Sequence, residues 1–90
     1  MLESELERDV VAWVESQGGR ALKLKLDNER GFPDRVIILP DGFIAFAELK
    51  RSKGSTKKYK QQEKFVTWLK SMGFPSAFCS TLDEVKELCK

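Results

Sequence analysis

Histidine is absent from the 90 residues. That removes Ser-His-Asp triads, Cys-His pairs, imidazole zinc sites and hydrolytic mechanisms with a histidine base. Cysteine is scarce: Cys79 and Cys89 are too few for a disulfide framework and are not spaced as a zinc motif, so both are expected as reduced thiols. No apolar run approaches the roughly 20 residues needed to span a bilayer. Met1 leads into an acidic segment instead of the basic and then apolar start of a secretory signal. The expected compartment is therefore the cytoplasm, with no membrane partner. Any catalysis falls to carboxylates, lysines and water, with or without a hard metal ion.

Apolar residues make up 41% of the chain and charged residues 33%, the balance of a globular protein. The length suits one domain over 1–90, with no repeat and no linker. The net charge of +2 hides an asymmetry: residues 1–48 carry six Lys/Arg against ten Asp/Glu, whereas residues 49–90 carry ten against four. The densest basic stretch runs from Lys50 to Lys60, with six cations and no acid. It reads either as a solvated loop or as a phosphate-contacting one, since clustered Lys/Arg displaces the counterions condensed on nucleic acid. An acidic half joined to a basic half would hold a cation beside a polyanion.

Leu6, Val10, Trp13 and Val14 recur at helical spacing over 4–16, with Ser4 as the expected N-cap, Glu7 completing a capping box and Gly18-Gly19 as the stop. Ala21, Leu22, Leu24 and Leu26, interleaved with Lys23 and Lys25, predict a short strand with one polar face. Val36–Leu39, the turn residues Pro40-Asp41-Gly42, and the apolar segment 43–49 predict a β-hairpin. A helix over 57–72 follows, with Phe65, Trp68, Leu69 and Met72 on its stripe and Gly73 at its end. A strand over 76–79 and a helix over 81–89, capped by Thr81 with Glu84, complete a mixed α/β order. Trp13, Trp68, Phe65 and Phe46 read as core, and Phe32 and Phe43 as either core or subunit interface.

Pairing the hairpin around Asp41, with Leu39 opposite Phe43, puts Asp34 opposite Glu48 on one face. Period-two alternation adds Lys50 to that face. Two opposed carboxylates destabilise a sheet unless compensated. Lys50 would do so as a surface ion pair; Mg²⁺ or Mn²⁺ would do so as a hard cation that takes carboxylate oxygens and keeps waters elsewhere.

Pro33-Asp34, thirteen intervening residues and Glu48-Leu49-Lys50 resemble the PD-(D/E)XK signature of the restriction-endonuclease-like nucleases. Gly31-Phe32-Pro33-Asp34 ahead of the hairpin, the Gly-containing basic loop, and Gln62 opening a helix that continues with Phe65 and Leu69 narrow the resemblance. Across nearly the whole chain it is similar to the virus-type replication-repair nuclease (VRR-NUC) domain in its stand-alone phage or bacterial form. The resemblance implies a restriction-endonuclease-like αβββαβ core, a mixed sheet flanked by helices. It implies metal ligands at Asp34, Glu48 and the Leu49 backbone carbonyl, a catalytic lysine at Lys50, and a glutamine beside the metal at Gln62. For the acid of the first helix, Glu7 fits the spacing better and Glu3, one turn earlier, competes; both also suit the positive end of that helix.

Arg30, Gly31, Arg51, Lys53, Lys57, Lys58 and Lys60 are the expected DNA contacts. Tyr59 either stacks on a base or packs onto the domain. Gly31 serves a positive-φ turn, the close approach of a phosphate backbone, or both. The resemblance implies Mg²⁺- or Mn²⁺-dependent endonucleolytic hydrolysis of DNA in repair, leaving a 5′-phosphate. The resemblance to compact stand-alone members implies a homodimer that cuts four-way (Holliday) junctions, and symmetry favours it, because twofold assembly offers two sites to a junction of twofold symmetry. No organic cofactor is expected. A flap or nicking nuclease, or a non-catalytic DNA-binding module, are the alternatives.

Overall fold

The computed structural model describes residues 3–27, 30–50 and 56–90. Helix α1 (Glu3–Ser16) is followed by strands β1 (Arg20–Lys23), β2 (Arg35–Leu39) and β3 (Phe43–Leu49), then helix α2 (Thr56–Ser71), strand β4 (Ser76–Cys79) and helix α3 (Leu82–Leu88). This is the expected αβββαβ order with a terminal helix. The sheet runs β1-β2-β3-β4, with the first three strands antiparallel and β3–β4 parallel. A parallel pair requires a crossover, and α2 supplies it.

Leu6, Val10 and Val14, one turn apart, are fully buried on the inner face of α1. They meet Ala21, Ile37, Ala45, Ala47, Leu49 and Cys79 of the sheet and Val85 of α3 in one core. Ala21, Ile37 and Ala45 are in register across three strands, so small and branched side chains alternate where the helices press on the sheet. The helix includes Glu3, which puts Ser4 inside the first turn and not at the expected cap. Its end follows expectation: Gly18 has φ +87°, and the N–H groups of Gly18 and Gly19 return to the carbonyls of Glu15 and Val14. At α3, Thr81 Oγ1 accepts from the Glu84 N–H while Glu84 Oε1 accepts from the Ser80 and Thr81 N–H groups, a complete capping box. Both cysteines are free thiols.

The second sheet face is built differently from the sequence reading. The buried stripe of α2 is Gln62, Val66 and Leu69, with Phe65 half-buried. Trp68, expected in the core, is 51% exposed, and Met72 is exposed as well. The helix is rotated because Gln62 is drawn inward by a buried polar partner on β3, and a stripe through position 62 carries Trp68 outward. Phe32 packs edge-on against Phe46 and Phe65, and Phe43 packs against the main core, so both side with the packing role. Strand β1 also departs from expectation: Ala21 is its buried residue, whereas Leu22 and Leu26 are exposed. Among the described residues no helix is long and apolar enough to cross a membrane.

Candidate active site

The hairpin turns through Pro40–Gly42 with Asp41 and Gly42 both at positive φ. That conformation closes the strands with Leu39 opposite Phe43 and Arg35 opposite Ala47. That is the register expected from the turn; the ladder ends there, with Asp34 one residue before β2 and Glu48 one residue after Ala47. Asp34 lies just beyond the end of β2, yet its backbone is held, since its carbonyl accepts from the Leu24 N–H at 2.7 Å. Pro33 before it is fully buried. Lys50 continues from β3, its N–H donating to the Cys79 carbonyl at 3.0 Å, and its side chain is half-buried. The site thus stands where two antiparallel strands open beside a parallel one.

Glu48 is 6% exposed, and Gln62, 4% exposed, donates to Glu48 Oε2 from Nε2 at 3.1 Å. Burial pushes the Asp34 carboxyl above the ordinary carboxylate value of 3.8. The Leu49 backbone N–H, which donates to it, and the Arg35 and Lys23 charges pull it down, while the nearby Glu7 charge pushes it further up. Two acceptors, Asp34 Oδ1 and Gln62 Oε1, are buried without a hydrogen-bond donor. Orphaned buried oxygens carry a desolvation penalty, and a cation is the species that relieves an acceptor without needing to donate a proton. An all-oxygen set of carboxylate, amide and strand carbonyl suits a hard divalent ion such as Mg²⁺ or Mn²⁺ and not a soft one. The Leu49 carbonyl lies on the same strand edge as its N–H, toward Asp34.

Glu7 does point at the sheet, but its Oε1 sits 3.0 Å from Arg35 Nη2 and 3.9 Å from Lys23 Nζ. Among the described residues no three Asp, Glu or Cys side chains gather closely enough to hold a metal. Glu7 is thus paired with Arg35, while its charge still reaches Asp34 and raises that carboxyl. The side chain of its competitor Glu3 lies outside the described residues. Arg35 was missing from the sequence reading. It spans Glu7 and the Ala21 carbonyl (3.1 Å), and the signal for it was its place directly after Asp34 on the face that meets α1.

Gly31 has φ +87°, and a Cβ there would come within 2.8 Å of the Gln61 backbone carbon. Its close approach is to helix α2, one residue from Gln62. Arg30 and Lys60 are exposed, whereas Arg51 and Lys53, and the side chains of Lys57 and Lys58, lie outside the described residues. Tyr59 stacks on Phe78, with ring centroids 4.9 Å apart and planes at 24°, so it packs onto the domain.

No family model matches the chain. A relative from Acyrthosiphon pisum secondary endosymbiont phage 1, described as "Putative nuclease p44", is 36% identical over 61 residues, covering 68% of this chain and 66% of that protein. A solved structure described as a VRR_NUC domain superposes with a TM-score of 0.80 at 25% identity, covering 96% of this chain and 91% of the other. The chain belongs to the VRR-NUC family. Its mixed sheet and flanking helices are the restriction-endonuclease-like α/β fold. In this VRR-NUC domain the motif residues Asp34, Glu48 and Lys50 come from adjoining strand ends, and Gln62 reaches Glu48 from the crossover helix.

Proposed function

We propose that this VRR-NUC domain is a metal-dependent endonuclease that hydrolyses phosphodiester bonds in branched DNA. The observation that carries the reading is two buried oxygens that accept no hydrogen bond, Asp34 Oδ1 and Gln62 Oε1, the second on the side chain that holds the buried Glu48. Such a set gains most from a cation. A divalent ion, when bound, supplies Lewis acidity toward a phosphoryl oxygen and makes water more acidic. Asp34, Glu48 and the Leu49 carbonyl are the groups that would hold it, and Gln62 fixes the Glu48 rotamer through its Nε2.

Lys50 follows Glu48 by two residues at the end of β3, so strand alternation assigns it to the same face. Its ammonium orients the attacking water and offsets the charge that grows on the non-bridging oxygens in the transition state. Water adds to phosphorus and the bond to the 3′ oxygen breaks, leaving a 5′-phosphate. Arg35 neutralises Glu7 nearby, which keeps the local negative charge from repelling the scissile phosphate.

A domain of this size contacts little DNA alone, and a twofold dimer matches a four-way junction; a homodimeric Holliday-junction-cutting enzyme is therefore the form proposed. The test is cleavage of junction, flap, nicked and fully paired DNA side by side, with and without chelator, by the parent protein and by Asp34→Asn and Lys50→Ala. Junction cutting that chelator abolishes, and that both variants lose while still binding DNA, is expected. Unchanged cleavage in either variant removes the mechanism. Preference for flaps or nicks moves the function to the alternative substrate, and a monomer at micromolar concentration by light scattering removes the dimer.

A further inference from the structure

The face of α2 beside the one that carries Gln62 forms a second concavity. Gln61, Lys64, Phe65 and Trp68 recur at the i, i+3, i+4, i+7 spacing of one helical stripe, and Arg30 closes the opposite wall of a pocket of about 280 Å³. Trp68 contributes little to the core, being 51% exposed while Gln62, Val66 and Leu69 fill the buried side of the helix. Lys64 also lines the groove on its other flank, there together with Glu63, so it is Arg30 that makes this pocket the more cationic of the two. An exposed indole in a pocket that Arg30 and Lys64 also line offers a π-face to a base and positive charge to its phosphates.

The pocket is joined to the candidate active site through the backbone. Gly31, next to Arg30, abuts Gln61, and Gln61 precedes the Gln62 that holds Glu48. From position 62 to position 68 the helix rises about 9 Å, roughly two to three nucleotide steps at the 3.4 Å spacing of a DNA strand.

We propose that the Trp68 pocket is a nucleobase-stacking subsite that takes an unpaired base of the DNA strand a few nucleotides from the cut. This rests on reading the neighbouring site as a nuclease centre, and it names the feature the domain selects: a strand with a base free to leave its stack. In paired duplex both faces of every base are covered by neighbours, so Trp68 has nothing to stack on. At the centre of a branch or at the root of a flap, bases are exposed and the contact forms.

The experiment uses the full chain in chelator, so that nothing is cut. Trp13→Phe leaves Trp68 as the sole indole, and its fluorescence is followed as a short single-stranded oligothymidylate or a paired duplex of the same length is added. Anisotropy of the labelled strand gives the same comparison without altering Trp13. The single strand is expected to quench Trp68 and the duplex to leave it nearly unchanged. Trp68→Ala is expected to weaken single-strand binding by roughly 5- to 150-fold, with Trp68→Phe recovering part of the loss.

Binding of Trp68→Ala within about twofold of its parent overturns the proposal, as does equal quenching by duplex. A shift from dimer to monomer in Trp68→Ala with single-strand binding unchanged assigns the indole to a subunit contact and also overturns it. The two readings fail separately. Quenching retained in a parent protein that never cuts DNA leaves the subsite standing without the nuclease, and cutting by a parent whose Trp68→Ala variant binds normally does the reverse.

Discussion

Gly31→Ala isolates the contact that sets helix α2 against the motif loop. Two separate penalties act there. The residue sits at φ +87°, where a Cβ costs about 1–2 kcal/mol through its clash with the following carbonyl. That Cβ would also stand 2.8 Å from the Gln61 backbone carbon and 3.0 Å from the Gln61 carbonyl oxygen. Main chain cannot swing aside as a side-chain tip can, and forced overpacking costs about 1–3 kcal/mol more. The expected loss is therefore about 2–5 kcal/mol. At about 4–8 °C per kcal/mol for a domain of this size, the melting temperature should fall by at least about 8 °C.

Gly42→Ala is the matched control. It has a similar φ of +78° but nothing within 4 Å of the added carbon, so it should lose about 1–2 kcal/mol. Thermal and urea melts of the two variants measure the difference. If both fall equally, Gly31 does not touch α2 and the coupling between the motif loop and Gln62 is wrong. Assayed where it is still folded, Gly31→Ala should also lose cleavage, because displacing Gln61 displaces Gln62 from Glu48; Gly42→Ala should not.

Asp34→Asn should be at least as stable as the parent at neutral pH in chelator. Burial raises the folded-state carboxyl above its unfolded value of 3.8, so the parent loses stability as pH climbs from 3.8 toward the folded value and holds it below; parallel slopes for both proteins in urea melts would refute this. Magnesium should raise the melting temperature of the parent and leave Asp34→Asn unmoved, and an equal rise in both would refute Asp34 as a ligand. Thr81→Ala breaks the α3 capping box and should cost about 1 kcal/mol, read as a drop of about 4–8 °C. Donors at Ser80 and Thr81 lower the Glu84 carboxyl, so the contribution of this cap is present above the unfolded pKa and fades as pH falls through the folded one. Replacing Lys57 and Lys58 should flatten the salt dependence of DNA binding by about 0.9 per lost phosphate contact; an unchanged slope would place the loop off the backbone.

Much of the molecule was legible before any coordinates. Hydrophobic periodicity located every element, because Leu6, Val10 and Val14 can share a core only on a helix and 36–39 with 43–49 only as a hairpin. The register followed from Pro40-Asp41-Gly42, since a tight turn leaves few ways to pair the strands, and it set Leu39 opposite Phe43 and Arg35 opposite Ala47. Period alone could not say which stripe of α2 faces the sheet. Apolarity favoured Trp68 and Met72, but a buried carboxylate on β3 needs a donor more than the sheet needs another large ring, and Gln62 met that need. Glu7 showed the same limit: spacing turned it toward the motif, and Arg35, from a strand 28 residues later, claimed its carboxylate. Local sequence decided where chain elements begin, end and pair. Long-range satisfaction of buried polar groups decided which faces meet, because the partner of a buried charge comes from wherever the fold brings a donor within about 3 Å.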